Sequence, residues 1–431
     1  MATLNNPVVA ARTTQSASAD AASELRRSAE LLRSRQLDEA ESILRRVVTS
    51  QPTNSDAHNL LGVVLDQRGN AVEAEREYRL SLRLNPNGVS AMSNLGILLA
   101  RSKRDDEAIQ TFETVRRLSP DHPQATINLG LLYASRKDYE RAASLLARAR
   151  ELQPGGFDIL YNHGLALVQL KRLDEAASAL ESAVAVSPNA AEPLYLLGVI
   201  ASQRNQDQSA RDFFEKAIAL RSNYAEAHFM LGELFSKHQD YLAAKTYYQR
   251  AYDLDQLQPV HHIRLGGVLM LLGNFEVALE IFSKAANRFP KIADLQYFVG
   301  LSARATGAYD LAQEHLRTAL TLKANHVDAL ALLGAILSDR GESIEAERLL
   351  RRTLQIDERH FNAQRDLGQL LVRTRRYNEA VTVLRRAAAL NENNPDVHYQ
   401  LYLAFSRLGQ KESADRELSI YNTLKAKEPK R

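Results

Sequence analysis

The sequence predicts an all-α fold, an α-solenoid of twelve helix–turn–helix units, and three observations lead to it. One frame of 34 residues recurs from about Ala21 to Glu428 without an insertion. Within that frame, position 8 is glycine in ten consecutive units and position 20 is alanine in all twelve. Apolar residues fall at helical spacing in two short stretches of each unit. Because one helical pair cannot bury its apolar face alone, stacking of neighbouring units must form a continuous core.

The unit Val89–His122 shows the pattern most clearly. Its first helix, helix A, carries Leu95 and Leu99 four residues apart, and its second, helix B, carries Phe112 on the apolar side. Pro120 ends helix B, because proline lacks the N–H that the helix needs. The same two helices can be drawn in every unit of the frame.

The small residues at positions 8 and 20 predict how the two helices of a unit pack. Glycine inside a helix costs about 1 kcal/mol relative to alanine, so a repeated glycine in helix A needs a packing reason. We expect close approach of helix B at this point, where a bulky side chain would overpack the contact. The glycines are Gly62, Gly96, Gly130, Gly164, Gly198, Gly232, Gly266, Gly300, Gly334 and Gly368. The alanines are Ala40, Ala74, Ala108, Ala142, Ala176, Ala210, Ala244, Ala278, Ala312, Ala346, Ala380 and Ala414.

These columns, with a large residue at position 24 and proline at position 32 in six units, resemble the tetratricopeptide repeat. The resemblance covers all twelve units and implies a right-handed superhelix with a concave groove lined by A helices. Tryptophan is absent, and histidine often stands at position 4, where that family usually has an aromatic residue. Five units have other residues at position 32, and their turns are predicted to be looser or their B helices longer. Those residues are Ser222, Gln256, Ala324, Glu358 and Glu392.

Three segments are predicted along the chain. Residues 1–20 form a small, polar leader that is predicted to be disordered, residues 21–428 form the repeat array, and residues 429–431 form a tail. The apolar run of the leader is too short for a signal peptide, and no stretch approaches the ~20 apolar residues of a membrane span. A cytoplasmic protein without a membrane span is therefore expected. The absence of cysteine excludes disulfides, and a net charge of +3 gives no general case for nucleic acid.

The sequence offers no recognisable chemistry of its own. No phosphate-binding loop, nucleophile or metal-ligand spacing stands out, so neither a cofactor nor a metal is predicted and the chain is not expected to be an enzyme. His163 replaces leucine at position 7 and is predicted to be a core histidine. Acids recur at position 2, in the first turn of helix A, where the helix dipole explains most of them.

The A-helix side turned away from the core is the predicted binding surface. Position 6 there is asparagine in three successive units, as Asn94, Asn128 and Asn162. An asparagine amide can both donate to and accept from a peptide bond whatever its side chain is, so a ladder of them suits an extended peptide. This ladder is similar to the long repeat superhelix of O-linked N-acetylglucosamine transferases, although no catalytic domain is expected here. The alternative is that asparagine is simply common at this position.

Position 5 adds aromatic side chains to the same surface. Tyr161, Tyr195 and Phe229 stand there in successive units. Aromatic rings are good anchors at protein interfaces, but packing between neighbouring A helices would explain them equally well.

A basic strip is predicted near the C-terminal end of the groove. Arg365, Gln369 and Arg373 follow one another at i,i+4 spacing, and Arg407 continues the strip in the last unit. Arginine forks bind carboxylates in two-point contacts, so an acidic segment of the partner is expected here. Asp366 beside the strip weakens this interpretation, and a solvated basic face is the alternative. No aromatic residues interleave with the arginines, which speaks against nucleic acid.

Two functions remain open after this survey. The favoured one is a non-enzymatic protein–protein interaction scaffold that binds an extended peptide or partner protein in its groove. The alternative is a regulatory or targeting subunit of an enzyme complex whose catalytic activity lies on another chain. The last helix also carries an apolar stripe of Leu418, Tyr421 and Leu424, which predicts either a homodimer contact or a self-covered end.

Overall fold

The computed structural model describes residues 7–427, and their side chains from residue 20 onward. These residues form 24 helices and no strand, which confirms the predicted all-α solenoid of helix pairs. The helices are α1 Pro7–Arg33, α2 Leu37–Ser50, α3 Ser55–Gln67, α4 Ala71–Leu84, α5 Val89–Arg101, α6 Asp105–Leu118, α7 Pro123–Ser135, α8 Tyr139–Leu152, α9 Phe157–Gln169, α10 Leu173–Val186, α11 Ala191–Gln203, α12 Asp207–Leu220, α13 Ala225–Lys237, α14 Tyr241–Leu254, α15 Pro259–Leu271, α16 Phe275–Arg288, α17 Ala293–Ala305, α18 Tyr309–Leu322, α19 Val327–Asp339, α20 Ser343–Ile356, α21 Phe361–Arg373, α22 Tyr377–Leu390, α23 Pro395–Arg407 and α24 Lys411–Lys427.

The close approach of helix B to the position-8 glycines is confirmed by the packing within the pairs, and the side chain that each glycine meets is that of position 24. All twelve alanines of position 20 are buried, with at most 3% of their surface exposed. A Cβ atom added to Gly266 of α15 would lie 2.4 Å from the Cζ atom of Phe282 on α16, far inside van der Waals contact. At the neighbouring Gly267 no atom lies within 4 Å of such a Cβ. Helix packing therefore requires glycine at position 8, but not at the next position of the same helix.

The turn between helix A and helix B has the same conformation in every unit. Its residue at position 15 has a positive φ, between 57° and 86° at all twelve positions. Five of these residues are glycine and seven are not. The seven are Arg35, Lys103, Lys137, Lys171, Asn205, Gln239 and Arg375. Residues with a Cβ atom adopt this left-handed conformation at a cost.

The B helices that lack proline at position 32 are not longer, so that part of the prediction is wrong. From α2 to α22 every B helix has 14 residues, with or without the proline. In several units, with or without that proline, a side chain at position 4 contacts the carbonyl oxygen of position 32 in the preceding unit and closes the turn. These contacts are His58–Pro52, His228–Ser222, Gln364–Glu358 and His398–Glu392, each with a nitrogen–oxygen distance of 3.0 Å.

The prediction of a disordered leader is corrected where the structure describes it. Helix α1 begins at Pro7, so residues 7–20 belong to the first A helix. The segment contains no glycine, and its one proline stands at the first helical position, where a missing N–H costs nothing. Residues 1–6 of the predicted leader and residues 429–431 of the predicted tail lie outside the described residues.

The chain divides into two compact units, Met1–Arg221 and Ser222–Arg431. The first unit has one continuous core, from Ala21 to Ile200, between its A and B helices. The core of the second unit consists of one cluster around Phe282 and another from Ala303 to Ala414. In the described part of the chain no helix has the length and apolar character needed to cross a bilayer.

Candidate functional site

Each compact unit presents a face built from consecutive A helices. In the first unit α3, α5, α7, α9 and α11 contact one another in this order, and in the second α17, α19, α21 and α23 do the same. We call the exposed side of these helices the A-helix face. Side chains at positions 3, 4, 7 and 8 point into the core, so the A-helix face is formed mainly by positions 2, 5, 6, 9 and 13.

The three asparagines of position 6 lie half-buried on the A-helix face of the first unit. The amide nitrogens of Asn128 and Asn162 donate to the carbonyl oxygens of Gln124 and Asp158 in their own helices, at 2.7 and 2.8 Å. Asn94 donates to the Oδ1 atom of Asn59 on the preceding A helix, at 3.0 Å. These bonds fix the orientation of each amide and use one of its two N–H groups.

The aromatic residues of position 5 are partly used in packing. Tyr161 stacks on Phe157 of its own helix with ring centroids 5.8 Å apart, and burial raises the pKa of its phenol. Tyr195 lies 5.8 Å from the ring of Phe214, which is the large residue of position 24. Phe229 in the second unit makes the equivalent contact with Tyr248. The packing alternative therefore accounts for much of this column, although each ring stays half-exposed.

The A-helix face of the second unit contains a polar cavity of about 420 Å³ between α17, α19, α21 and α23. We call it the α19–α23 cavity. Its floor includes Ala335, while Arg365 and Gln369 of the predicted strip lie in its wall. The remaining lining residues are Arg304, Ser338, Asp339, Asp366, Asp396, Tyr399 and Gln400. A smaller cavity of about 120 Å³ lies beside it and shares Arg304, Arg365 and Asp366.

Arg365 and Asp366 form the wall between these two cavities. The Nε atom of Arg365 donates to Oδ1 of Asp366 at 2.8 Å, and its guanidinium lies 5.9 Å from the ring centre of Phe361. Asp366 is only 8% exposed. Burial raises the pKa of this carboxyl group above its usual range, although Arg365 acts in the opposite direction. The strip thus carries a buried carboxylate at its centre.

The other predicted arginines lie towards the C-terminal ends of their A helices. Arg373 donates to the hydroxyl of Ser338 and lies 3.7 Å from a carboxylate oxygen of Asp339. Arg304 approaches the same carboxylate to 4.0 Å. Arg407 is exposed at the end of α23. Arg304 and Arg373 thus share the carboxylate of Asp339, and with Arg407 the row has more positive than negative charges.

The remaining sequence predictions fare differently. His163 is buried in α9, and burial lowers the pKa of its imidazole, so its prediction as a core histidine is confirmed. Three of the position-2 acids have a partner besides the helix dipole. Glu192 accepts a hydrogen bond from Arg221 at 2.8 Å. The Nε2 atoms of His326 and His360 lie 3.0 and 3.3 Å from the carboxylates of Asp294 and Asp328. Within the described residues no group of three potential metal ligands is found.

Sequence reasoning missed the α19–α23 cavity, although a signal for it was present. Ala331 is the only alanine at position 5, and Ala335 stands one turn later at position 9. Ala335 lines the α19–α23 cavity and Ala331 lines the smaller cavity beside it, whereas other units place larger side chains at one or both of these positions. Arg304, Asp339 and Ser338 were missed because their partners lie in neighbouring units, about 35 residues away.

Family models for the tetratricopeptide repeat match most of the described chain. One such model matches residues 25–89, 161–225, 229–291 and 263–327, and two others match residues 89–155 and 326–366. A further TPR repeat model matches residues 368–409. Among curated proteins, the BBSome complex member BBS4 of Bos taurus is 31% identical over 81 residues, 19% of this chain. The match spans 16% of the length of that relative.

Solved structures that match this chain have repeat folds and low sequence identity. The Cut9–Hcn1 hetero-tetramer of the APC/C has a TM-score of 0.46 and 14% identity, over 88% of this chain and 95% of the other. The tetratricopeptide protein YrrB, described as having an unusual peptide-binding site, has a TM-score of 0.41 and 20% identity. That match covers 43% of this chain and 95% of YrrB.

Proposed function

Because the chain belongs to the tetratricopeptide-repeat family, we propose that it is a non-enzymatic scaffold that holds an extended peptide or partner protein on its A-helix faces. The observation that carries this proposal is the pair of amides on α7 and α9. Each is fixed by a bond to its own helix, and its Oδ1 atom accepts no hydrogen bond from the part of the chain that the structure describes. Each therefore retains an acceptor and one N–H for a ligand.

The spacing of the A helices suits an extended chain. Packed helices lie about 8–10 Å apart, and an extended peptide rises about 3.3 Å per residue. Successive amides would therefore meet the peptide backbone about every three residues. Backbone recognition of this kind tolerates many sequences, because peptide groups are common to all of them.

The partner peptide carries an acidic segment in this proposal. Support comes from Arg304, Arg373 and Arg407 at the C-terminal ends of α17, α21 and α23, where Asp339 lies within 4.0 Å of the first two. Arginine binds carboxylates through paired, charge-assisted hydrogen bonds. The acidic segment would run along this row, across the ends of the helices.

The test combines partner capture with a triple substitution. Partner proteins are isolated on the full chain and identified by mass spectrometry, and the affinity of the recovered partner is measured by calorimetry. Changing Asn94, Asn128 and Asn162 to alanine should weaken binding roughly a hundredfold, at about 1 kcal/mol per hydrogen bond. Helix content and melting temperature should stay unchanged.

A matched control removes three exposed amides that lie off the A-helix face. Asn87, Gln110 and Asn189 stand in B helices or turns and are changed to alanine together. This control should bind like the wild-type chain. Equal affinity of the wild-type chain and the A-helix variant would refute the amide ladder as the binding surface.

A regulatory or targeting subunit is the alternative function. Its support is the similarity to BBS4, whose description makes that protein a member of a complex. Under this alternative the recovered partner carries an enzymatic activity that changes when the chain binds. An unchanged activity would exclude regulation and leave the scaffold function.

Self-association through α24 is a second proposal of the same kind. Leu418, Tyr421 and Leu424 are half-buried, and the ring of Tyr421 lies 5.1 Å from that of Tyr399, so the chain covers part of the stripe itself. Light scattering should give twice the mass of the chain at high concentration and its single mass after Leu418→Asp. A constant single mass at every concentration would refute the homodimer.

A further inference from the structure

We propose that the α19–α23 cavity binds one basic side chain, arginine or lysine, of the extended peptide, on the carboxylates of Asp366 and Asp396. The inference rests on the proposed function and deepens it, because it adds one basic side chain to a face for which that function assigns only an acidic segment of the partner. It also assigns opposite charges to two parts of the partner peptide. An acidic segment follows the arginine row, and a basic residue enters the cavity.

The charge of the lining favours a cation. Two arginines and three aspartates line the α19–α23 cavity. Both arginines already face carboxylates, Arg365 at Asp366 and Arg304 at Asp339. Asp396 at the first turn of α23 has no ion-pair partner in the described part of the chain. An anion in this cavity would be repelled by three carboxylates. A cation would be attracted by the carboxylate of Asp396, which has no ion-pair partner among the described residues.

Asp366 is the residue that the helix dipole does not explain. Acids at position 2 lie in the first turn, where the dipole stabilises negative charge. Asp366 stands at position 6, in the second turn of α21, and is 8% exposed beside a cavity. A buried carboxylate with one arginine partner retains acceptor capacity on its second oxygen. A ligand cation would supply the missing donor and offset the cost of burial.

The rest of the cavity matches the uncharged part of such a side chain. Ala335 gives the floor an apolar surface against which an aliphatic stem can pack. The ring of Tyr399 at the rim is 38% exposed and can lie against a guanidinium or ammonium group. Gln369 and Gln400 offer amide oxygens to the remaining N–H groups. A cavity of about 420 Å³ has room for one long side chain and some water.

The unpaired carboxylate of Asp396 and the guanidinium of Arg407 are separated along α23, while Arg304 and Asp339 also line the cavity. Positions 2 and 13 lie eleven residues apart, which is about 16 Å along an α-helix. Asp396 stands at one end of α23 and Arg407 at the other. A partner with a basic residue and an acidic segment a few residues apart would therefore match both ends at once.

The experiment uses a small probe, so that it does not depend on the identity of the partner. Acetyl-arginine-amide is titrated into the isotope-labelled full chain and followed by NMR, with acetyl-citrulline-amide as the uncharged probe of the same shape. The arginine probe should shift the amide signals of Ala335, Gln369 and Tyr399 in a saturable manner. The citrulline probe should not.

Substitution of the carboxylates tests the assignment. Asp366→Asn and Asp396→Asn together should weaken binding of the arginine probe roughly tenfold, because charge-assisted hydrogen bonds are lost. Asp253→Asn, the same change on the exposed side of α14, is the control and should bind like the wild-type chain. Asp396→Asn alone changes only an exposed residue and should leave the fold intact. It should still weaken binding of the arginine probe, so the test does not depend on correct folding of the double variant.

The outcomes separate this inference from the proposed function. The inference is overturned if the two probes bind equally or if the double variant keeps the wild-type affinity. The scaffold function still stands in that case if the partner requires Asn94, Asn128 and Asn162. Conversely, saturable binding of the arginine probe at the cavity supports the inference even if the asparagine variant keeps its partner.

Discussion

The A-helix faces of the two compact units differ in the chemistry of one column. Position 6 is an uncharged amide in α5, α7 and α9 of the first unit, whereas in α21 of the second it is Asp366. The supporting columns do not differ, since glycine at position 8 and alanine at position 20 continue through both. The columns that hold each helix pair together are thus distinct from the columns on the A-helix face. In our proposal one face binds a peptide backbone and the other a charged side chain, with the same helix pairs beneath both.

The strongest test of this separation compares neighbouring glycines of α15. Gly266→Ala should destabilise the fold by roughly 2–3 kcal/mol, because its Cβ would overlap the ring of Phe282. Gly267→Ala should stabilise it by about 1 kcal/mol, because it removes a helix-interior glycine without a clash. Urea denaturation of both variants measures the difference. If the two variants show equal stability, position 8 is not a supporting column.

The second test sharpens the comparison through charge. Arg373→Glu combined with Arg407→Glu should weaken partner binding roughly tenfold, and the wild-type affinity should fall as salt rises. The asparagine variant should lose affinity by the same factor at every salt concentration, because its contacts are uncharged. Arg250→Glu with Arg288→Glu, on exposed positions of B helices, is the matched control. Salt-independent binding by the wild-type chain would place the charged contact elsewhere.

The sequence alone predicts contacts within one repeat unit better than contacts between units. The small residues of positions 8 and 20, such as Gly266 and Ala278, were predictable, because they pack between the two helices of one unit and this packing repeats along the chain. The α19–α23 cavity was not, because it lies where Ala335 has a smaller side chain than most units place at position 9. Pairs such as Arg373 with Ser338 depend on the lateral distance between helices of different units, which the period does not give. The packing of Tyr195 on Phe214 likewise needs the distance between two helices.

The third test concerns a core residue of the first unit. Burial lowers the pKa of His163 below 6.5, and its Nδ1 atom is buried without a hydrogen-bond partner in the described residues. His163→Leu should therefore stabilise the fold by about 1 kcal/mol at neutral pH. A base with a lowered pKa in the folded state contributes stability above its unfolded pKa and loses it as the pH falls.

The pH dependence of this variant supplies its internal control. The advantage of His163→Leu over the wild-type chain should grow as the pH falls below 6.5. Melting curves at a series of pH values measure it. A constant difference between variant and wild type across the series would mean that His163 has the same pKa in the folded and the unfolded chain.

The smallest effect is expected at Asp366. Its raised pKa means that the folded chain favours the protonated carboxyl group, so stability is lost as the pH rises above 3.8, the usual value of this group. Asp366→Asn removes this loss and should raise the free energy of unfolding at neutral pH by a few tenths of a kcal/mol, with no gain in acid. A stability gain that persists below pH 3.8 would contradict ionisation as its cause.

The two units differ in the residue type that occupies the left-handed position between helix A and helix B. Five of the six such turns in the first unit use a residue with a Cβ atom, whereas four of the six in the second use glycine. A left-handed residue other than glycine costs roughly 1–2 kcal/mol, and in a repeat array this cost falls on the helix pair that contains it. Helix pairs of the first unit should therefore open more often in hydrogen exchange. Lys103→Gly, Lys137→Gly or Lys171→Gly should slow that opening without a change on either A-helix face, so the residue at position 15 sets how often a helix pair opens.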